Sequence, residues 1–286
     1  MKRYIYCGAI GVVSLLASCS TPQSGNSQGA ESIDNFKMAQ TIKSIERNYK
    51  CEGANAYFGD SLAVYSTVRV SIDWPTEMGG YNIKVLQDSL LNATFGKPSA
   101  TIDESLWASV TSPEGSDTFK MQPVDSVPTG DRCMVYLRDV ATQLLTVNPL
   151  YAVYQVRTSI YDGGAHGMTD TRYVNYDFDH SCVLYFDNLF KSGSDAALLQ
   201  AVKDCLMTQF DVSSLAELDA KGVFSDQIFL THNFYISGDN IVFHYNPYDI
   251  APYSTGAIDV VVPYFQVSEC VNGVFAHLFD PASDDV

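Results

Sequence analysis

Asn246-Pro-Tyr-Asp-Ile-Ala-Pro-Tyr-Ser-Thr-Gly256 is the stretch on which the reading of this chain turns. It joins two hydrophobic runs, Asn240-Ile-Val-Phe-His-Tyr245 and Ala257-Ile-Asp-Val-Val-Val-Pro263. Both are rich in β-branched and aromatic residues, which predicts two strands. Pro247 and Pro252 each fix φ and remove a backbone donor, so the connection is neither a regular helix nor a regular strand. Tyr248, Ile250 and Tyr253 are costly to leave loose in water. An ordered loop is therefore expected, packed by its own side chains and presenting a fixed surface. A rigid strand connection without a ligand fits the same residues. The candidate contact residues here are Asn246, Pro247, Tyr248, Asp249, Ile250, Pro252 and Tyr253. Asp249, between two tyrosines, reads as a loop-fixing acceptor or a contact to a basic partner.

Outward from this stretch the pattern is mixed. Residues 233–236 and 241–245 read as a hairpin through Ser237-Gly238-Asp239-Asn240. Ser194 is placed to cap a helix whose stripe is Leu198, Val202, Cys205, Leu206 and Phe210. Strands are expected at 133–147 and 150–161, joined at Asn148-Pro149, and again at 172–178 and 182–186. Between the second and third of these lies Asp162-Gly163-Gly164-Ala165-His166-Gly167. Its glycines allow positive φ or a close approach. It is no phosphate loop, because the Lys-Ser/Thr pair and the following helix are missing.

Nearer the N-terminus, residues 61–74 alternate as a half-buried strand that Pro75 ends. Residues 81–95 and 102–110 carry helical spacing. Residues 33–51 fit either a helical face, through Met38, Ile42, Ile45 and Tyr49, or a long edge strand. Residues 111–130 read as a loop and as the best boundary between an N-terminal part, 31–130, and a C-terminal part, 131–280, of one domain. The fold class expected is α+β, an antiparallel sheet with helices on one face.

The chain has 286 residues and a formal charge of −16. That balance argues against nucleic acid and anionic membrane surfaces as partners, and suits a basic partner or simple solubility. Lys2 and Arg3 precede an apolar run at 4–16, too short to span a bilayer. Leu16-Ala17-Ser18-Cys19 follows and resembles the lipobox of bacterial lipoproteins, in which the cysteine is lipidated and becomes the new N-terminus. Residues 1–19 are then a signal peptide, with Cys19 the anchor, and the polar residues 20–30 a tether. Ser20 after the cysteine is what would send such a protein to an outer membrane. Removal of Lys2 and Arg3 leaves 15 basic against 33 acidic residues, a balance of −18. Cys51, Cys133, Cys182, Cys205 and Cys270 remain, an odd number without CxxC spacing. Buried free thiols are the plain expectation.

Four pieces in order resemble a known family. They are Ile72-Asp-Trp-Pro75 with Tyr81-Asn-Ile83, then residues 161–167, then Tyr185-Phe-Asp-Asn-Leu-Phe190, then residues 246–256. Together, over roughly residues 60–265, they look like the extracellular domain of RsiV-like, lysozyme-sensing anti-sigma factors. The non-catalytic N-terminal region of some peptidoglycan deacetylases shares that domain. The resemblance implies an α+β, envelope-facing module, which in the sensing members binds c-type lysozyme. Neither a spanning helix with a cytoplasmic segment nor the deacetylase's Asp-Asp-Gly-Pro and His-x-x-x-His pieces is found here. Binding is therefore expected, and signalling or deacetylation by this chain is not.

His166 is the residue that most suggests chemistry, with Asp162 and Asp170 near it in sequence. No HExxH helix or GxSxG elbow accompanies it, and a ring that bonds a backbone carbonyl and pins the loop fits equally. His232 and His244 should face the sheet or solvent, and His180 and His277 have no partner that sequence can name. Asp177 and Asp179 share one strand face. No cofactor and no metal are expected. The sequence thus predicts a non-catalytic, lipid-anchored binding module whose surface is residues 162–167 and 246–256, placed side by side. Its partner would be c-type lysozyme or another basic protein. Peptidoglycan is the alternative ligand, and a cell-wall enzyme working through His166 is a third reading.

Overall fold

A computed structural model describes residues 36–53, 62–111, 120–129 and 133–279. The expected signal peptide, with Cys19, and the expected tether lie outside the described residues. Contacts divide the chain into two compact units, one up to Gln143 and one from Leu144. The architecture is mixed α+β in both.

In the first unit, β1 (Met38–Glu52) pairs antiparallel with β2 (Ala63–Met78) over thirteen positions. The i, i+3, i+4 spacing in 38–49 is therefore not a helix, and β1 is not an edge strand. Its last five residues also pair with β3 (Lys120–Val124). Pro75 does not end β2: the strand carries an extra residue, Thr76, where Gln40 opposes Pro75 and Ala39 opposes Glu77. A bulge spares the ladder the donor that proline lacks. β3 lies inside the segment read as loop; Pro123 is tolerated there because β3 is at the sheet's edge. Residues 63–72 of β2 run parallel to the start of β4 (Cys133–Val147), the one departure among these pairs from the antiparallel expectation. That pairing holds the first half of β4 to this unit. Helices α1 (Lys84–Phe95) and α2 (Ile102–Thr111) fall where spacing put them. Leu86, Leu90, Leu106 and Val110 are their buried faces.

The second unit holds the larger described core. Asn148 Oδ1 accepts from the backbone N–H of Leu150 and Tyr151 at 2.8 and 2.9 Å, making the turn into β5 (Tyr151–Tyr161). β5 pairs antiparallel with β6 (Met168–Asp177), which pairs with the short β7 (Cys182–Leu184). Asn188 fixes the next turn, accepting from Tyr185 N–H and donating to Val183 O, both at 2.8 Å. A single turn, α3 (Phe186–Leu189), follows, then α4 (Asp195–Gln209). Ser194 precedes α4, but its hydroxyl makes no capping bond. β8 (Phe234–Ser237), β9 (Asn240–Tyr245) and β10 (Ile258–Pro263) form a three-stranded antiparallel sheet in the order β10-β9-β8. Leu198, Val202 and Leu206 of α4 join Phe243, Val260 and Val262 in its core. Among the described residues, Cys51, Cys182, Cys205 and Cys270 are free thiols. No described helix is long and apolar enough to cross a membrane.

Candidate functional site

The connection from β9 to β10 leaves the sheet at Asn246 and is pinned from both sides. Asn246 N–H donates to Asp249 Oδ2 at 2.7 Å, and Asp249 N–H returns to Asn246 O at 3.0 Å. Asp249 is thus a loop-fixing acceptor. Ile250 and Ala251 are buried, and Ile250 O accepts from Phe224 N–H at 2.8 Å. Between these anchors Tyr248 takes φ 76°, left-handed backbone that bulky residues avoid. The strained turn throws its ring outward, 51% exposed. Pro252 then leads into a single 3-10 turn, Tyr253–Thr255.

The loop is fastened to β6 by side chains where no strand pairs. Thr171 N–H donates to Asn246 Oδ1 at 2.7 Å, while Asn246 Nδ2 donates back to Thr171 O at 3.1 Å. Asn233 Nδ2 reaches the same carbonyl at 2.7 Å. Farther along, Asn175 donates to Phe234 O at 2.9 Å and accepts from Ile236 N–H at 3.0 Å. Asparagine side chains here serve in place of a neighbouring strand, satisfying backbone groups that burial would otherwise leave costly.

Residues 162–167 lie at the start of β6, so this fastening brings them beside the β9–β10 loop. His166 stacks on Tyr253 with ring centroids 3.7 Å apart and planes 11° apart. Tyr248 closes the group, 5.6 Å from Tyr253 and 6.5 Å from His166. His166 Nδ1 faces Gly167 O at 2.9 Å. A carbonyl only accepts, so Nδ1 carries the proton and Nε2 is left to face the Tyr248 hydroxyl at 3.5 Å. The ring pins its loop. Gly163 and Gly164 take φ 88° and 99°, which a side chain would strain. A Cβ on Gly167 would meet Ile160 O at 2.8 Å. Ala165 is exposed, and Tyr161 Oη donates to Gly164 O at 3.1 Å across the turn.

Beneath the aromatics lies a polar layer that the sequence reading missed. His244 is buried and places Nδ1 2.6 Å from Asp259 Oδ1 and Nε2 3.3 Å from Asn246 Oδ1. Tyr235 donates to Asp259 Oδ2 at 3.3 Å and packs on Tyr173 at 4.4 Å. Burial pushes the Tyr235 phenol well above its ordinary range, and the Asp259 carboxylate adds to the rise. Burial raises Tyr173 likewise. Alternation along β9 and β10 could have paired His244 with Asp259, but only with the register known. His232 is exposed and stacks on Phe186 at 3.9 Å, beside a cleft of about 280 Å³ that Tyr173, Tyr185 and Asp187 also line.

Of the candidate residues, the structure thus gathers His166, Tyr248 and Tyr253 into one surface. Asn246, Asp249 and Ile250 work beneath it, and Pro247 and Pro252 are partly exposed at its margins.

Residues 187–265 match a family model described as "Protein of unknown function (DUF3298)". The matched segment contains the whole β9–β10 loop and stops short of residues 162–167. A crystal structure of a DUF3298 family member from Bacteroides fragilis aligns over 84% of this chain and 98% of its own, at 23% identity and a TM-score of 0.59. A DUF3298 family protein from Pseudomonas aeruginosa aligns over 83% and 95%, at 14% identity and a TM-score of 0.54. These likenesses establish a shared fold. No curated protein matches the chain.

Proposed function

We propose that this chain is a lipid-anchored, envelope-facing binding module akin to the RsiV-like extracellular domain, without catalytic activity of its own. The observation that carries this reading is the His166–Tyr253–Tyr248 surface. It pre-orders flat, amphipathic rings on a base locked by Asn246, so a partner meets them with little left to order. Strain at Tyr248 supports function over architecture: left-handed backbone in a bulky residue costs about 1–3 kcal/mol and persists where surroundings impose it. His166 has both ring nitrogens engaged and no carboxylate bonded to it among the described contacts, which favours contact over general-base work. The partner is a basic protein such as c-type lysozyme, steered by the −18 balance (15 − 33) left once Lys2 and Arg3 are removed. A second reading keeps the same surface and makes the ligand a peptidoglycan fragment, its sugars stacked on the tyrosines. Histidine ring signals test both. Lysozyme should move those of His166 and leave those of His180 and His277 in place. Muropeptides moving His166 where lysozyme does not would favour the glycan, and no movement with either would remove both.

A further inference from the structure

At the far end of β6, nine strand residues and about 30 Å from the aromatic surface, a second cluster forms. Asp177 is fully buried, at 0% exposure. Its Oδ1 accepts from Asp179 N–H at 3.0 Å, and its Oδ2 lies 2.6 Å from His180 Nδ1. A 3-10 segment, Gly273–Leu278, brings His277 against the same carboxylate from a hundred positions away in sequence. His277 Nδ1 faces Val274 O at 3.1 Å, so Nδ1 carries a proton. Nε2, its other ring nitrogen, points at Asp177 Oδ1, 3.4 Å away, and Asp179 Oδ2, 3.7 Å away. A ring nitrogen aimed at two carboxylates holds either a proton or a bound cation between them.

We propose that Asp177, His180 and His277, with Asp179 at the rim, form a binding site for a divalent transition-metal ion of the zinc class. One ligand atom from each of the first three lies within 4.8 Å of the others. That is close enough for small side-chain shifts to reach the ~3.3 Å edge implied by zinc–ligand bonds of about 2.0–2.1 Å. Imidazole nitrogen with carboxylate oxygen is a donor set that zinc accepts. The Nδ1–H to carbonyl bond of His277 is the support that metal-bound histidines ordinarily have, since it fixes the tautomer and aims Nε2. His180 and Asp179 are 43% and 44% exposed, which opens the site to an entering ion and to water as a further ligand. Asp177 and His277, at 0% and 11%, form its floor.

The test is calorimetric titration of the chelator-stripped full chain with Zn²⁺, alongside His180→Ala, His277→Gln and His232→Ala. Co²⁺ absorption reports the donor atoms. The expected result is one ion per chain, affinity reduced at least tenfold by His180→Ala and by His277→Gln, no change with His232→Ala, and no thiolate charge-transfer band. If His277→Gln fails to fold, the half-exposed His180 carries the test alone. Absence of saturable binding, binding indifferent to His180, or a thiolate spectrum would overturn the proposal. In the first case a proton on His277 is what faces the carboxylates.

Discussion

Asn246→Ala should destabilise the second unit, and the size of the loss follows from its bonds. The Thr171 N–H, on a residue 8% exposed, donates to Asn246 Oδ1 at 2.7 Å and is left without that acceptor. A buried donor so abandoned costs about 1–3 kcal/mol. The return bond to Thr171 O is worth less, about 0.5–1.5 kcal/mol, because Asn233 still donates to that carbonyl at 2.7 Å. The expected loss is about 2–4 kcal/mol. Urea unfolding would show it as a midpoint lowered by about 1–2 M at an ordinary slope of about 2 kcal/mol per M. The Thr171 amide should also exchange with solvent faster relative to its neighbours in β6. Asn246→Asp should fall between, keeping the acceptor but setting a carboxylate oxygen against Thr171 O. A loss under about 0.5 kcal/mol with Thr171 still protected would refute the claim that this side chain fastens the loop to β6.

Other consequences are open to the same kind of measurement. At Tyr248 the left-handed backbone should make Tyr248→Gly more stable than Tyr248→Ala by about 1 kcal/mol in thermal or urea unfolding, since only the alanine carries the Cβ clash. Gly167→Ala forces the Ile160 carbonyl to move and should cost about 1–3 kcal/mol by the same assay. Leu198→Ala, on the buried face of α4 at 0% exposure, should cost about 2–5 kcal/mol through the cavity it leaves. Alkaline stability carries a sign. Burial raises the phenols of Tyr173, Tyr235 and Tyr245 above their ordinary 10.0, so their contribution is whole below pH 10. It is lost as pH climbs from there through the folded values, because the unfolded chain then binds fewer protons. The slope should approach about 1.4 kcal/mol per pH unit for each phenol, and Tyr245→Phe should remove one share of it.

What sequence disclosed depended on how local the signal was. The strands either side of 246–256 and the helix of 84–95 have unbroken periods, and they stand where those periods put them. β1 was ambiguous because Met38, Ile42, Ile45 and Tyr49 happen to fall at helical spacing in a strand. Pro75 concealed the end of β2, and Pro123 concealed β3. A proline says only that a donor is missing, and neither a bulge nor an edge needs one there. The meeting of His166 with Tyr248 and Tyr253 could be expected once both loops were read as ordered. Its cause, Asn246 and Asn233 on Thr171, needed the strand arrangement. The Asp177–His180–His277 cluster left no trace in sequence beyond a nearby Asp-Phe-Asp-His, since its third member arrives from the end of the chain.

The aromatic surface is proposed to bind a basic envelope protein. Calorimetric titration with a c-type lysozyme, at low and moderate salt, tests it most directly when Tyr253→Ala is run beside the unaltered chain. Micromolar or tighter binding that weakens with salt and is abolished by Tyr253→Ala is the predicted result. A flat titration at both salts, or binding that Tyr253→Ala leaves unchanged, would contradict it.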